Sequence, residues 1–415
     1  MNLLLQQATI SNQPLAINIT GSKSETNRLL LLQALYPNIK LENISKSDDS
    51  DVMFKALQQA TSNKQQPAII DVHHAGTAMR FLTAFFTIQE GEEVVLTGSS
   101  RMKERPIKIL VEALKQLGAQ INYEENEGFP PIKIKGKKLT QSQISLPANV
   151  SSQYISALLL IAPKLKNGLE LTLEGEVTSI PYIKMTLTLL NQVGVKTSFQ
   201  ENTITVCHAE LVSASKLTIE SDWSSASYWY SIVALSQIGT QITLTSYKQN
   251  SLQGDSVLAE IYKDFGIETI FQENAIIIHK AENSQQSTVN RQLNNSPDIA
   301  QTIAVTCFGL GISCHLTGLH TLKIKETDRL EALKTELSKL GAIVSVTNDS
   351  LTIEKSNNLN SNISIATYQD HRMAMAFAPL ALKAPIIIEN AEVVSKSYPT
   401  FWEDLKSIGF HQTII

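Results

Sequence analysis

A chain of 415 residues with 43% hydrophobic and 18% charged side chains can fill two or three cores and is not disordered. Its net charge of −4 argues against a general nucleic-acid or anionic-membrane surface, and three cysteines without CxxC spacing argue against structural zinc. No apolar run approaches the roughly 18 residues of a membrane span. Met1–Gln7 lacks the basic and apolar regions of a signal peptide, so a cytoplasmic protein is expected.

Along the chain, six stretches read as helices that are apolar on nearly every side, each opened by small or polar residues. They begin near Ser22, Gly76, Ser151, Trp223, Asp298 and Asp370. Such helices belong inside a core. The first start, Gly21-Ser22-Lys23-Ser24-Glu25-Thr26-Asn27-Arg28, pairs hydroxyls able to cap backbone N–H groups with a Lys and an Arg. It suits a phosphate or carboxylate. It lacks the spacing of a Walker A loop.

Between these helices a second pattern recurs: an amphipathic helix ending in Gly, then strand, turn and strand. It runs over 107–135, 182–206, 257–279 and 329–354, and the chain closes on a truncated copy at 401–409. The glycines fit left-handed C-caps. The two patterns together predict six copies of one α/β subfold, three to a domain. Parallel core helices would gather their positive N-termini on one face of each domain.

The arginines sharpen this expectation. The chain has 28 Lys but only seven Arg, and six of these, Arg28, Arg80, Arg101, Arg105, Arg329 and Arg372, fall in motif-like segments; only Arg291 stands apart. A guanidinium grips carboxylate or phosphate through two bonds, which Lys cannot reproduce.

Five of those segments are GSKSETNR (21–28), HAGTAMR (74–80), RMKERP (101–106), IKETDRL (324–330) and YQDHRMAM (368–375). With SSQY (151–154), SIPY (179–182), SDWSSASY (221–228), SLQGD (251–255), SPDIA (296–300) and SKSYP (395–399), the chain resembles the 3-phosphoshikimate 1-carboxyvinyltransferase (EPSP synthase) family. The resemblance runs in order along nearly the whole chain. It implies a two-domain inside-out α/β barrel with three βαβαββ units per domain. One domain would span 21–221, the other 1–20 with 222–415, with the active site in the cleft between them.

The implied reaction joins shikimate 3-phosphate to phosphoenolpyruvate and releases phosphate, with no cofactor, no metal and a monomeric protein. By resemblance Lys23, Ser24, Arg28, Ser151, Ser152, Gln153, Ser179, Tyr182, Asp298 and Lys325 hold shikimate 3-phosphate. Lys23, Gly76, Arg105, Gln153, Arg329, Arg372 and Lys396 would hold phosphoenolpyruvate, with Thr77 and His371 in support. Addition of the 5-hydroxyl to C2 and protonation of C3, then loss of phosphate, need a base, an acid and cations on the leaving group. Asp298, Glu326 and Lys23 are the implied proton-transfer residues. A second, weaker reading makes Asp298 a helix N-cap; Glu326 also reads as a first-turn carboxylate and His371 as a structural histidine. Asp49 and Asp255 read as caps or as supports for basic residues.

Departures from the family pattern include His74 for Asn, Phe81 for Pro, Thr321 for Asn and Gln369 for Asn. Gly76-Thr77-Ala78 resembles the glyphosate-sensitive form. The related UDP-N-acetylglucosamine enolpyruvyl transferases usually carry a Cys in the loop that here reads 99–106, where none occurs. A silent anion-binding scaffold is the other alternative, and it would have eroded single polar positions. The 207–215 segment reads as an insertion-like surface connection.

Overall fold

Helices without a polar face have to be enclosed, and all six expected ones are. In Gly76–Thr87 every residue but Thr77 is buried, and in Trp223–Leu235 every residue but Ser224. The computed structural model describes residues 1–10, 15–62, 67–148, 151–175, 177, 180–210 and 216–415. They divide into two compact units, Ser22–Ile219 and Met1–Gly21 with Glu220–Ile415.

In the Ser22–Ile219 unit the helices Lys23–Leu35, Gly76–Thr87 and Ser152–Ile161 pack against one another. In the other unit Trp223–Leu235, Ala300–Gly309 and His371–Phe377 do so. Each fully enclosed Leu or Phe contributes about 1.5–3 kcal/mol of burial. Close approach needs small residues. A Cβ built on Gly309 would come within 2.8 Å of Leu235 and 2.9 Å of Leu380.

Around these helices stand five four-stranded sheets. Ala68–Asp71 pairs parallel with Glu93–Thr97, which pairs antiparallel with Ile132–Lys135, and that with Gln120–Tyr123. The chain order is therefore βαβαββ, and the sheet order recurs in the sheets built on 143–206, 288–353, 241–280 with Leu15–Ile17, and 363–414 with Leu3–Leu5. Burial alternates along strands such as Glu93–Thr97 and Ala275–Lys280, so one sheet face meets the core.

The sixth copy is shorter than expected. Among the described residues Lys40–Glu42 pairs only with Lys216–Thr218. Two strands are also exchanged. Leu15–Ile17 precedes the Lys23–Leu35 helix yet pairs with Gln241–Thr245, and Lys216–Thr218 precedes Trp223–Leu235 yet pairs with Lys40–Glu42. Where the two connections meet, Gly21 and Ser221 form an antiparallel bridge. Beside it the buried Glu220 carboxylate accepts from Trp223 Nε1 at 2.8 Å, Lys248 N at 2.9 Å and Ser251 Oγ at 2.6 Å.

The five helix-ending glycines, Gly118, Gly194, Gly266, Gly341 and Gly409, all take left-handed φ. The helix expected over 257–266 differs. It breaks into Gly254–Val257, Leu258–Ile261 and Tyr262–Phe265, the outer two being 3₁₀ turns. The rings of Tyr262 and Phe265 lie 4.9 Å apart, and side chains three residues apart eclipse on a 3₁₀ turn.

Candidate active site

In the Ser22–Ile219 unit the buried arginines meet neutral acceptors, while Lys23 and His74 face Asp49. Lys23 opens its helix, and Ser22, expected to cap it, makes no side-chain cap bond; neither does Ala75 before Gly76. First-turn N–H groups at both starts are left without a side-chain cap. Lys23 Nζ lies 3.4 Å from Asp49 Oδ2, and His74 Nε2 3.7 Å from Asp49 Oδ1. Asp49 thus supports the lysine.

Arg105 lies directly over Gly76. A Cβ at that position would stand 2.5 Å from its Nη1 and 2.8 Å from its Nη2, so any larger residue would push the guanidinium aside. Arg80 donates to Gly76 O at 3.0 Å and to Pro106 O at 3.3 Å. Gln153 Nε2 donates to Thr77 Oγ1 at 3.0 Å, and Ser151 Oγ caps the helix by accepting from Gln153 N at 3.3 Å. Ser152 is half-buried beside it. Ser179 lies outside the described residues, as do positions 211–215 of the 207–215 segment.

Arg28 is enclosed. It donates from Nε to Thr186 Oγ1 at 2.8 Å, from Nη1 to Ser24 O at 2.7 Å and from Nη2 to Ser156 Oγ at 2.9 Å. Its guanidinium also lies 5.4 Å from the Phe81 ring and 6.0 Å from the Tyr182 ring. Burial pushes Arg28 and Arg80 each down to about 10, and the like charge of Arg105 adds to the effect on Arg80.

In the other unit the arginines sit among carboxylates. Arg329, 1% exposed, donates from Nε to Asp370 Oδ2 at 2.6 Å, from Nη1 to Asp298 Oδ1 at 2.8 Å and from Nη2 to Glu326 Oε2 at 2.8 Å. Asp298 also lies 3.4 Å from Lys325 Nζ and 3.3 Å from Arg372 Nη2. It sits in the 3₁₀ turn Pro297–Ile299 with its side chain on these cations, so it is no N-cap. Glu326 precedes the Arg329–Lys339 helix, whose cap is Asp328, and so is not a first-turn residue.

Asp370 caps the His371–Phe377 helix, accepting from Arg372 N at 2.8 Å as well as from Arg329. His371 is buried in the first turn of that helix. Lys396 Nζ donates to Gln369 O at 2.7 Å. Tyr368 and Gln369 both take positive φ, 54° and 57°, a conformation that costs non-glycine residues roughly 1 kcal/mol each. Ser224 accepts from Arg372 Nη2 at 3.3 Å and bonds the buried Asp255 carboxylate. Burial, and after it the Asp298 charge, push Asp255 up to about 6. For Arg329 and Arg372 burial lowers the affinity for the proton, but the surrounding carboxylates outweigh it and raise both.

The expected residues therefore form two constellations. Asp298, Lys325, Glu326, Arg329 and Arg372 touch one another directly, and Lys396 joins through Gln369. In the other unit Gly76, Arg105, Thr77 and Gln153 share contacts. Arg101 does not join; it is an exposed partner of Glu104 at 2.8 Å. Tyr154, Ser224 and Asp370 were not singled out from sequence, although each lies in a quoted motif. A small cavity of about 210 Å³, lined by Leu235, Ser236, Thr240 and Lys383 among others, sits at the opposite end of the Trp223–Leu235 helix from Ser224. Among the described residues no helix is long and apolar enough to cross a membrane.

A family model described as EPSP synthase (3-phosphoshikimate 1-carboxyvinyltransferase) matches residues 59–405. The chain belongs to that family. It is 46% identical over 398 residues to the 3-phosphoshikimate 1-carboxyvinyltransferase of Bacteroides fragilis strain YCH46, covering 95% of both chains. The enzyme of the same name from Haemophilus influenzae strain KW20 is 35% identical over 429 residues, covering 97% of this chain and 98% of its own. Among solved structures, EPSP synthase from Acinetobacter baumannii superposes with a TM-score of 0.81 at 20% identity, covering 99% of both chains. The enolpyruvyl transferase NikO from Streptomyces tendae gives 0.75 at 13%, covering 99% of this chain and 98% of its own. Those two likenesses speak for the fold: an α/β enolpyruvyl-transferase fold.

Proposed function

We infer that this family member transfers the carboxyvinyl group of phosphoenolpyruvate to the 5-hydroxyl of shikimate 3-phosphate, releasing inorganic phosphate, a step towards aromatic amino acids. The observation that carries this is the 46% identity along 95% of both chains with the Bacteroides fragilis enzyme. The electrostatics support a division of labour. Both substrates carry a phosphate and a carboxylate; among the described residues Arg105 offers its charge without an ion-pair partner, and Lys23 offers its own beside Asp49. Lys23, Ser24, Ser151, Ser152, Gln153, Ser179, Tyr182 and Lys325 would hold shikimate 3-phosphate. Gly76, Arg105, Arg329, Arg372 and Lys396 would hold phosphoenolpyruvate. Arg28, enclosed as it is, would act by fixing Ser24 and the start of its helix.

Asp298 would take the proton of the 5-hydroxyl as its oxygen bonds to C2. Glu326, with Lys23 a further candidate, would deliver a proton to C3. Phosphate leaves the tetrahedral adduct as C3 gives a proton back, and cations around the leaving group stabilise its developing charge. The same reading carries a cytoplasmic monomer, which sedimentation checks.

The test is phosphate release from phosphoenolpyruvate with and without shikimate 3-phosphate. Release that depends on shikimate 3-phosphate is expected, as is competition by glyphosate against phosphoenolpyruvate. No release with both substrates present, or equal release with UDP-N-acetylglucosamine as the acceptor, would overturn the inference.

A further inference from the structure

Arg80 and Tyr154 have no part in the roles assigned above, yet both bond the carbonyl of Pro106, the residue that follows Arg105. Tyr154 OH donates to it at 2.6 Å and Arg80 Nη2 at 3.3 Å. Through Nη1 the same guanidinium donates to Gly76 O at 3.0 Å, and Gly76 is the residue over which Arg105 lies. One side chain therefore joins the floor under Arg105 to the backbone that carries it. Tyr154 adds a third element, since it stands on Ser152–Ile161 beside Gln153, which reaches Thr77.

The arrangement is costly for a part that only fills space. Arg80 is buried, and among the described residues neither it nor Arg105 forms an ion pair. A buried charge satisfied only by neutral acceptors carries a desolvation cost that an apolar side chain of similar length would avoid. The geometry gives that charge a use: its two carbonyl bonds fix the distance between Gly76 and Pro106, and so the seat of Arg105.

We propose that Arg80 and Tyr154 are positioning residues that clamp Pro106 so that Arg105 presents its guanidinium to an anionic group of phosphoenolpyruvate. This rests on the activity inferred above. With the clamp intact, Arg105 is already ordered and binding need not order it. With the clamp loosened, phosphoenolpyruvate binding weakens, while shikimate 3-phosphate binding and the later steps are spared.

The experiment is a double-mutant cycle on the full chain, read by steady-state kinetics and by calorimetric binding of phosphoenolpyruvate alone. Tyr154→Phe deletes one bond to Pro106. It should raise KM and Kd for phosphoenolpyruvate about 3- to 10-fold, the effect of one lost hydrogen bond. The turnover number and the KM for shikimate 3-phosphate should stay within about twofold. In an Arg105→Gln background the same deletion should change either constant less than about 1.5-fold, because its route of action is gone. Arg80→Lys, able to reach one carbonyl but not both, should give a smaller rise than Arg80→Met. Should the Arg80 variants fail to fold, as thermal midpoints would reveal, the Tyr154 cycle still decides. An unchanged KM in Tyr154→Phe, an equal rise with and without Arg105, or a fall in turnover at constant KM overturns the clamp. A wild-type chain that releases no phosphate defeats the activity instead, and the calorimetric cycle then still reads the clamp.

Discussion

Arg80 and Arg329 are both buried guanidiniums near helix starts, and their surroundings differ in kind. Arg80 donates to two backbone carbonyls and lies 3.8 Å from the Met102 sulfur; burial holds it down to about 10. Arg329 is held by Asp370, Asp298 and Glu326, and their charges raise it despite burial. A guanidinium facing neutral acceptors keeps its field for a ligand. One facing three carboxylates has part of its field offset and also fixes where those carboxylates stand. On the proposed function, the Ser22–Ile219 unit would then attract anions, and the other unit would hold acids and bases in register.

The largest expected effect tests the second half of that statement. Asp298→Asn keeps the shape and can keep the bond from Arg329 Nη1, but it gives up the one from Arg372 Nη2 and removes the base. The turnover number should fall about 10²- to 10⁴-fold in the phosphate-release assay, the usual weight of a general base. If Asp298 only balances charge, the loss should stay under about tenfold, and the division of labour fails.

Stability offers the next contrast. Arg329→Met strands the fully buried Asp370 and takes one partner each from the partly exposed Asp298 and Glu326, and removing one partner of a buried ion network costs about 3–5 kcal/mol. Arg80→Met strands only carbonyls, which costs about 1–3 kcal/mol, offset in part by the charge no longer being buried. Urea midpoints for the two variants should therefore differ by at least about 1 kcal/mol, with Arg329→Met the less stable. Equal losses would mean that the carboxylates around Arg329 reach solvent well enough to need no partner.

Much of this was legible in the sequence because it is local. A helix with no polar face must be enclosed, and an amphipathic helix stopped by Gly ends in a left-handed turn; neither needs a distant partner to be read. The strand exchange is not local. Leu15–Ile17 finds its partner at Gln241–Thr245, and nothing in three apolar residues says so. Arg28 shows a second limit. At a helix start suited to an anion Arg28 reads as a ligand-facing cation, yet it is buried together with Glu25, Thr26 and Asn27, because Ser156 and Thr186 from two other helices meet the guanidinium. The scarcity of arginine pointed correctly to Arg80, Arg105, Arg329 and Arg372 as a set with special surroundings. It also pointed to Arg101, which only pairs with Glu104 at the surface. Composition marks where a rigid cation was retained, and the side chains of other elements decide what it does there.

The smallest expected effect sharpens the comparison through pH. Asp255 is the acid of its cluster that touches no cation in an ion pair; it bonds Ser224, and burial followed by repulsion from Asp298 pushes it up to about 6, with Arg372 opposing and Asp222 adding slightly. An unfolded aspartate titrates near 3.9. Below about pH 4 both states hold the proton, and Asp255 carries no penalty. Between about 4 and 6 the unfolded chain gives up the proton while the folded chain keeps it, so stability falls as pH rises through this window and stays lower above it. Asp255→Asn, which still accepts from Ser224, removes that penalty. The variant should match the wild type near pH 4 and exceed it at pH 7.5 by on the order of 1–3 kcal/mol in urea midpoints. A variant less stable than wild type at pH 7.5 would mean that the Asp255 charge is used by Arg372 across Ser224. The neutral and the carboxylate-rich surroundings of the arginines would then differ less than the contacts suggest.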